Sequence, residues 1–364
     1  MLFYLILFTV CVSLSFFSNF LHRNKYENKT LLWLIDFLPF LILIIVTGFR
    51  FEVGTDYGGY VRNFETLRTG EINRIELSFR LIVEFSQLLG LSVQFVFLVY
   101  AILTYVCIFL GIKYFDPEAK YRHYMMALLI TFFLFNIFNT IRQMAAVAIL
   151  FYALKFMLEK KFIRYFLLVG ISYFFHKSGI VFGLFFFVAL QVDIKFYLAL
   201  LIVAPLMFYS NFINFMIQLF VRITGSEFYS IYATGGNARV SLSSGIGILV
   251  FYLLAVVFYI FYHQIVETDQ QKLAVKLYIM YTGLYLIFLP SEIATRMLYY
   301  PMVACIIAIP LLERITFKES EKAYMQYIII AIILLLFGNL MFNSIAEMQN
   351  GGVLDYAINF VLLE

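Results

Sequence analysis

Arginine residues stand at the ends of several apolar segments of this chain, where a cation can meet an anionic ligand. Arg50 follows one hydrophobic run, Arg142 lies between two, and Arg296 opens another. The guanidinium group stays charged at every accessible pH, and its planar fork binds phosphate through paired hydrogen bonds. These positions therefore predict a site for an anionic, phosphate-bearing substrate.

The densest group of polar residues is the segment GFRFEVGTDYGGY, residues 48–60. It holds one cation, Arg50, and two carboxylates, Glu52 and Asp56. Its glycines permit tight turns and a close approach of the backbone to a ligand. A simpler interpretation is an interfacial arginine among turn residues and an aromatic belt. We favour a functional loop, because the polar groups are concentrated with little connecting sequence.

The segment FNTIRQ, residues 138–143, stands where one apolar run ends and the next begins with almost no loop. Arg142 is therefore expected at or just below the membrane surface, with Gln143 beside it. An ionisable group at that depth is a functional candidate, although an arginine that extends towards lipid headgroups fits the same position.

The segment FFHKS, residues 174–178, separates two apolar arms. Each arm has about 13 residues and reaches about 20 Å, less than the roughly 30 Å of a hydrocarbon core. Either a hairpin tip lies below the membrane surface, or one long helix is broken here. Both arrangements place His176 and Lys177 deep, where a neutral histidine can accept a proton or donate a hydrogen bond.

The segment PSEIATRMLYY, residues 290–300, brings Glu292 and Arg296 to the start of another apolar run. About one helical turn separates the two residues, so a local ion pair is one interpretation. The other interpretation is that the two residues contact substrate at the membrane boundary.

The composition identifies an integral membrane protein. Hydrophobic residues make up 63% of the 364 residues and charged residues 13%, and the mean hydropathy is +0.92. A soluble domain would have about 45–50% apolar and about 25% charged residues. Loop lysines account for the net charge of +4, so no nucleic-acid partner is expected. The chain has no recognisable metal, nucleotide-hydrolysis or redox motif, and we expect neither a metal nor a cofactor.

The apolar runs predict an all-α polytopic bundle of about twelve transmembrane spans in a single domain, residues 1–364. The predicted spans are residues 2–20, 31–48, 93–112, 124–140, 142–158, 163–175, 178–190, 196–210, 246–262, 272–289, 294–312 and 324–342.

Lysine distribution orients the predicted bundle. Nearly all lysines lie in alternate loops, which places those loops in the cytoplasm and both termini outside. These loops are residues 22–29, 113–123, 159–164, 267–276 and 313–322. The opposite loops then carry the cations Arg50, Arg62, Arg68, Arg74, Arg80, Arg142, Lys177, Arg222, Arg239 and Arg296. The anion site is therefore expected at the outer face.

Two long external segments, about 49–92 and 211–245, are expected to contain amphipathic interfacial helices. In the first, Glu76, Arg80, Glu84 and Gln87 share one face, with Leu77, Leu81, Phe85 and Leu88 opposite. In the second, Asn211, Asn214, Gln218 and Arg222 recur at helical spacing. The Gly- and Ser-rich stretch 224–247 is expected to be a mobile loop.

Taken together, GFRFEVGTDYGGY, FNTIRQ, FFHKS and ATRMLYYP resemble the EpsG family, whose members are Wzy-like polymerases of bacterial exopolysaccharide, capsule and O-antigen. The four segments occur in that order, and the resemblance extends from about residue 30 to 312. Lys177 departs from the family pattern, in which the residue after the histidine is often apolar or proline.

The resemblance implies a glycosyltransferase at the outer face of the bacterial cytoplasmic membrane. A growing glycan on undecaprenyl diphosphate would be transferred to the terminal sugar of a lipid-linked repeat unit. The implied partners are the lipid-linked donor and acceptor, membrane lipid, and the chain-length regulator and flippase of the same pathway.

The leaving group of this reaction, a lipid diphosphate, needs fixed cations. We therefore expect Arg50, Arg142 and Arg296 to form a diphosphate clamp, with Gln143 donating a further hydrogen bond. Either His176 or Asp56 would be the base, and we favour His176 because it is expected to lie deeper. The remaining candidate substrate-binding residues are Tyr57, Tyr60, Lys177, Glu52 and Glu292.

Three other functions remain open. A transferase that adds single sugars from polyprenyl-phosphosugars would use an acidic residue in the first external loop, such as Glu52 or Asp56. A flippase or transporter of lipid-linked sugars would line a path through the bundle with cations, whereas the cations here cluster at the outer ends. A ligase of the O-antigen type would share the donor and differ in the acceptor.

Overall fold

The computed structural model describes residues 2–69, 75–224, 245–315, 322–351 and 356–360. Within them the chain is helical apart from short connections and one two-stranded sheet. In chain order the elements are α1 (Leu2–Arg23), α2 (Lys29–Gly48), β1 (Arg50–Phe51), α3 (Tyr57–Arg68), α4 (Leu77–Leu88), α5 (Val93–Phe115), α6 (Arg122–Asn139), α7 (Ile141–Leu158), α8 (Phe162–Phe175), α9 (Ser178–Gln191), α10 (Ile194–Tyr209), α11 (Phe212–Thr224), α12 (Gly245–Ile260), α13 (Tyr262–Ile265), α14 (Asp269–Phe288), α15 (Glu292–Met297), α16 (Tyr299–Ala308), the 3₁₀-helix Ile309–Arg314, α17 (Lys322–Gly351) and β2 (Ala357–Ile358).

The structure confirms an all-α membrane protein but not the number of twelve spans. Among the described residues, α1, α2, α5 and α7 are long and apolar enough to cross a membrane. Helices α10 and α11 form a fifth span if the pair, bent by 73°, counts as one. Helices α8 and α9 have 14 residues each, which at 1.5 Å per residue reach only about 21 Å. The predicted span 294–312 is divided into α15, α16 and the 3₁₀-helix, where Pro310 cannot continue α-helical hydrogen bonding.

The chain forms two compact units, Met1–Leu184 with Ile330–Glu364, and Phe185–Ile329. The single domain that the sequence predicts is not tested by this division and stays a prediction.

Helices α5 and α7 lie at the centre of the first unit. Helix α5 packs against α2 and α7, helix α7 packs against α8, and α1 packs against α2 and α6. Small residues permit these close approaches. A Cβ on Gly111 of α5 would lie 2.6 Å from the ring of Phe151 in α7.

Helices α8 and α9 form a hairpin around His176 and Lys177. Tyr165 Oη of α8 donates to Gly183 O of α9 at 2.5 Å. A Cβ on Gly183 would lie 2.5 Å from Val169, and one on Gly179 would lie 2.5 Å from Ser172 Oγ. Of the two arrangements that the sequence left open, the structure therefore has the hairpin.

Helix α4 confirms the predicted helix in the first long external segment, and a third row of residues, outside the two predicted faces, packs on the protein. The row Leu77, Leu81, Phe85 and Leu88 is exposed on the protein, and Phe79 and Val83 are buried instead. The exposed apolar row suits a helix that lies on a membrane surface.

A two-stranded antiparallel sheet joins the loop after α2 to the C-terminal segment. Strand β1 pairs with β2 in the register Arg50 to Ile358 and Phe51 to Ala357. Asn359 N donates to Phe49 O at 2.7 Å, and Tyr356 Oη donates to Val46 O at 2.7 Å.

Helix α14 is the centre of the second unit, where it packs against α10, α12 and α16. It begins with a capping box in which Thr268 Oγ1 accepts from Gln271 N. Helix α11 confirms the helix predicted from Asn211 onwards, and Asn214 Nδ2 donates to Pro290 O at 3.3 Å. Most of the predicted loop 224–247 lies outside the described residues.

Candidate active site

Arg50 holds together the loop that follows α2. Its side chain is fully buried. Nε donates to Val53 O at 3.2 Å, Nη1 to Thr47 O at 2.7 Å and Nη2 to Phe138 O at 3.0 Å. The guanidinium also lies 4.4 Å from the centre of the Phe97 ring, a cation–π contact. Burial lowers the pKa of Arg50 to about 10, so the group stays charged at neutral pH.

This placement changes the expected role of Arg50. A residue whose nitrogens all donate to backbone carbonyls positions the loop. The predicted contact of Arg50 with a diphosphate would require those hydrogen bonds to open.

Gly54 brings the same loop against the end of α6. Its φ of +104° is disfavoured for residues with a side chain. A Cβ there would lie 2.8 Å from Asn139 Oδ1, the atom that accepts a hydrogen bond from Thr55 N at 2.8 Å. The loop is therefore fixed to α6 through backbone contacts that glycine alone permits.

A buried aromatic core lies beneath this loop and joins α3, α4, α5 and α7. It consists of Tyr57, Tyr60, Phe64, Phe79, Val83, Val96, Phe97, Tyr100, Ile141 and Ala145. Because one core joins these four helices, including the first turn of α7, it fixes the side chains that project from it.

Tyr57 and Tyr60, which the sequence predicts as substrate-binding residues, are buried in this core. Gln94 Nε2 donates to Tyr57 Oη at 3.1 Å, and Tyr60 Oη donates to Asn139 O at 3.1 Å. Burial raises the pKa of both phenols, which therefore stay protonated. The structure therefore gives them a supporting position within the core, and their contact with substrate stays a prediction.

Arg142 extends from the start of α7 over the aromatic core. Its guanidinium lies 5.5 Å from the ring centre of Tyr60 and 5.7 Å from that of Phe79. Nη1 forms an ion pair with Glu76 Oε2, and the side chain also hydrogen-bonds to Tyr60. The exposed fractions are 24% for the Arg142 side chain and 17% for that of Glu76, so a ligand can reach the pair from outside.

His176 lies next to this ion pair, in the turn between α8 and α9. It is half-buried and interacts electrostatically with both Glu76 and Arg142. Nδ1 lies 2.6 Å from Ser178 Oγ, which leaves Nε2 for a ligand. Burial lowers the pKa of His176 below its ordinary value, so the imidazole is neutral at pH 7.

Phe175 explains why His176 lies at this place. Its ring packs against the aromatic core, with its centre 5.8 Å from that of Tyr100. Helix α4 also packs on α8. The end of the α8–α9 hairpin is thereby held beside the residues that precede α4.

Asp56 and Glu52 differ in their surroundings. Asp56 is half-buried at the N-cap position of α3, and its carboxylate makes no capping hydrogen bond to that helix within the described residues. It lies close enough to Tyr60 to interact electrostatically. Glu52 is exposed and has a φ of 56°, a conformation that costs a non-glycine residue about 1–2 kcal/mol.

Gln143 and Lys177 occupy opposite environments. Gln143 is buried within α7, and Lys177 is exposed in the hairpin turn. The contacts predicted for them with substrate stay predictions.

Arg296 and Glu292 belong to the second unit, in α15. Arg296 is exposed in the last turn of that helix. The side chain of Glu292 lies outside the described residues, and its predicted ion pair is untested. A clamp that includes Arg296 stays a prediction.

Glu76 is the site residue that sequence reasoning missed. The helical pattern assigned it to the polar face of α4, yet it precedes the helix and pairs with a residue 66 positions later in the chain. A carboxylate before a helix is common because it complements the helix dipole. No local signal therefore distinguished Glu76 from an ordinary helix-start residue.

The arrangement of Arg142, Glu76 and His176 brings together groups whose chemistry suits anion binding and proton transfer. The guanidinium can hold a phosphate group, and the neutral imidazole can accept a proton. The aromatic core restrains both groups, so that little reorganisation is needed when a ligand binds.

Comparison with known proteins places the chain in a family. Neither a curated protein nor a solved structure matches it. The family model described as EpsG family matches residues 32–358, nearly the whole chain and all the elements of the site just described. The chain belongs to the EpsG family.

Proposed function

We propose that this protein is a bacterial polysaccharide polymerase, a glycosyltransferase of the cytoplasmic membrane whose site faces outwards. It transfers a growing glycan from undecaprenyl diphosphate to a lipid-linked acceptor repeat unit. Membership of the EpsG family supports a polymerase-like function. The membrane-spanning helices support a lipid-linked substrate. The donor, the acceptor and the outward orientation are part of the proposal.

The observation that carries the proposal is the position of Arg142 beside His176. A guanidinium offers five N–H donors, and the contacts with Glu76 and Tyr60 engage only part of that set. The remaining donors suit a diphosphate, the leaving group of the reaction. The arginine lies on an aromatic core, where a low dielectric strengthens its attraction for that charge.

Arg142 and His176 have separate roles in the chemical step. The acceptor hydroxyl oxygen forms a bond to the anomeric carbon, while the bond from that carbon to the diphosphate oxygen breaks. The diphosphate leaves with the electron pair, and Arg142 stabilises its charge. The hydroxyl proton passes to Nε2 of His176, which is neutral before the step. Glu76 then stabilises the imidazolium.

Replacement of Arg142 with lysine tests the proposal. Lysine keeps the positive charge but loses the planar fork, so we expect chain elongation to fall by about 10²- to 10³-fold. The assay uses purified protein in lipid nanodiscs with defined undecaprenyl-diphosphate-linked repeat units, and the products are sized. Unchanged long-chain polymer from Arg142→Lys would contradict a bidentate contact with the diphosphate.

Arg80→Lys is the matched control. Like Arg142, Arg80 forms an ion pair with a glutamate. Its partner is Glu84 of the same helix, at 2.7 Å, but both side chains are about half exposed. An exposed pair of this kind contributes little, so elongation is expected to match the wild type.

A second candidate function rests on Asp56, whose half-buried carboxylate makes no capping bond to α3. An available acid in the first external segment suits a transferase that adds single sugars from a polyprenyl-phosphosugar. The same assay separates the two functions. A product that grows by one sugar, and is lost in Asp56→Asn, would favour this candidate over a polymerase.

A further inference from the structure

A second buried polar cluster lies at the opposite ends of α2 and α6 from the candidate active site. Arg122, at the start of α6, is 5% exposed and forms an ion pair with Asp36 inside α2. Ser18 Oγ donates to Asp36 Oδ1 at 2.5 Å, and His22 Nε2 lies 3.1 Å from the same oxygen. These contacts fix the last turn of α1 against α2 and α6.

Two donors of this cluster are unused. Arg122 Nε and Nη2 are buried and have no hydrogen-bond partner among the described residues. The side chain lines a cavity of about 10 Å³ together with Ser15, Ser18 and Asp36, which is space for about one water molecule. The end of α1 therefore borders the buried guanidinium of Arg122, whose neighbours accept only part of its possible hydrogen bonds.

His22 connects this cluster to a larger pocket that is open to the outside. The pocket has a volume of about 410 Å³ and is lined by His22, Arg23, Lys25, Glu118 and Lys120. Three permanent cations face one carboxylate, so the walls are net positive. The Lys120 side chain is held in place, with Nζ donating to Tyr121 Oη at 2.7 Å.

We propose that this pocket binds a phosphate group, supplied by the headgroup of an anionic phospholipid. Lysine and arginine bind phosphate oxygens through charge-assisted hydrogen bonds. The pocket lies where α1 ends and shortly before α6 begins, in loops that the sequence places at a membrane surface, the level of lipid phosphates. The buried Arg122–Asp36–His22 cluster keeps the pocket walls in position. This site is independent of the proposed transferase site.

The test compares the double variant Lys25→Gln and Lys120→Gln with the wild type. Each protein is placed in nanodiscs of phosphatidylcholine, with or without phosphatidylglycerol, and its thermal unfolding midpoint is measured. We expect phosphatidylglycerol to raise the midpoint of the wild type, and the double variant to lose at least half of that rise. A full rise in the double variant would overturn the proposal.

The matched control is the double variant Lys160→Gln and Lys161→Gln. Lys160 has a φ of 56°, close to the 51° of Lys25, and both are exposed lysines that follow a helix. This control removes the same charge from another loop and is expected to keep the full rise. Loss of the rise in the control as well would overturn the assignment to this pocket.

Two further measurements identify the source of the phosphate. Inorganic phosphate added to the wild type in phosphatidylcholine nanodiscs is expected to give no comparable rise. A rise that the double variant lacks would support phosphate binding and overturn the lipid source. Native mass spectrometry of the purified wild type then counts retained lipid. Retention of phosphatidylglycerol no greater than that of phosphatidylcholine would also overturn the lipid source.

Discussion

At the scale of single residues, two arginines of the site have different roles, and their surroundings decide which role each one has. Arg50 is fully buried, and its nitrogens donate to three backbone carbonyls. Arg142 stays partly exposed and pairs with Glu76. From the sequence we expected both arginines to contact a ligand, because the two share a residue type and an expected position at the membrane surface. Only the fold separates the arginine that positions the loop from the one that a ligand can reach.

His176→Gln is expected to remove the proton acceptor without disturbing the hairpin, because the amide fills a similar volume. Removal of a general base costs about 10²- to 10⁴-fold in rate. Initial rates of chain elongation by purified protein measure the effect. The control is His263→Gln, since His263 is exposed in the second unit. A rate for His176→Gln equal to that of the control would remove His176 from the mechanism.

The pH dependence tests the same residue without substitution. Burial lowers the pKa of His176 below 6.5, and the active base is the form present above that pKa. We therefore expect the elongation rate to stay level as pH falls towards 6.5, and to fall only below it. A rate that rises as the solution becomes more acidic would instead indicate a proton donor.

At the scale of elements, hydrophobic periodicity predicted helices well and membrane spans less well. Every apolar run that we expected to be a span is helical, and the breaks at Thr140 and at His176–Lys177 are where the pattern placed them. The predicted number of twelve spans is not confirmed within the described residues, where α8 and α9, for example, are short and pack on each other. The pairing of Arg142 with Glu76 was not predictable, because it depends on contacts between distant segments.

The hairpin of α8 and α9 gives a prediction at this scale. Gly183→Ala would place a Cβ 2.5 Å from Val169 and push the two helices apart. We expect a loss of about 1–3 kcal/mol in the free energy of unfolding. Elongation should slow as well, because the turn that carries His176 moves. Chemical denaturation and the elongation assay measure the two effects.

Gly170→Ala is the control for this substitution. A Cβ at Gly170 of α8 meets no atom within 4 Å, and alanine favours a helix by about 1 kcal/mol over glycine. This variant is therefore expected to be at least as stable as the wild type. Equal destabilisation by both substitutions would show that the close helix contact at Gly183 does not determine the stability of the hairpin.

At the scale of the whole molecule, the first loop depends on a segment from the far end of the chain. Strand β2 pairs with β1, and Tyr356 Oη donates to Val46 O. The sequence did not predict this sheet, because two strands of two residues have no periodicity that a pattern could reveal. Arg50 is itself the β1 residue paired with Ile358, so the pairing restrains the backbone that carries the buried guanidinium.

Asn359→Pro tests the link. Proline removes the N–H that donates to Phe49 O, a hydrogen bond worth about 0.5–1.5 kcal/mol. We expect trypsin to cleave after Arg50 about 2- to 12-fold faster than in the wild type, because opening of the loop becomes more frequent. Asn359→Ala keeps the backbone N–H that donates to Phe49 O and should therefore be cleaved more slowly than Asn359→Pro. Equal rates of trypsin cleavage in the two variants would mean that the sheet does not hold the loop.

The pairing of β1 with β2 also sets an order of assembly during translation. Residues 50–51 emerge from the ribosome about three hundred residues before their partners at 357–358. Helices α1 and α2 can insert while the loop between α2 and α3 still lacks its second strand. The loop after α2 therefore keeps an unpaired strand, and with it a less restrained Arg50 backbone, until residues 357–358 have been synthesised and can pair with it.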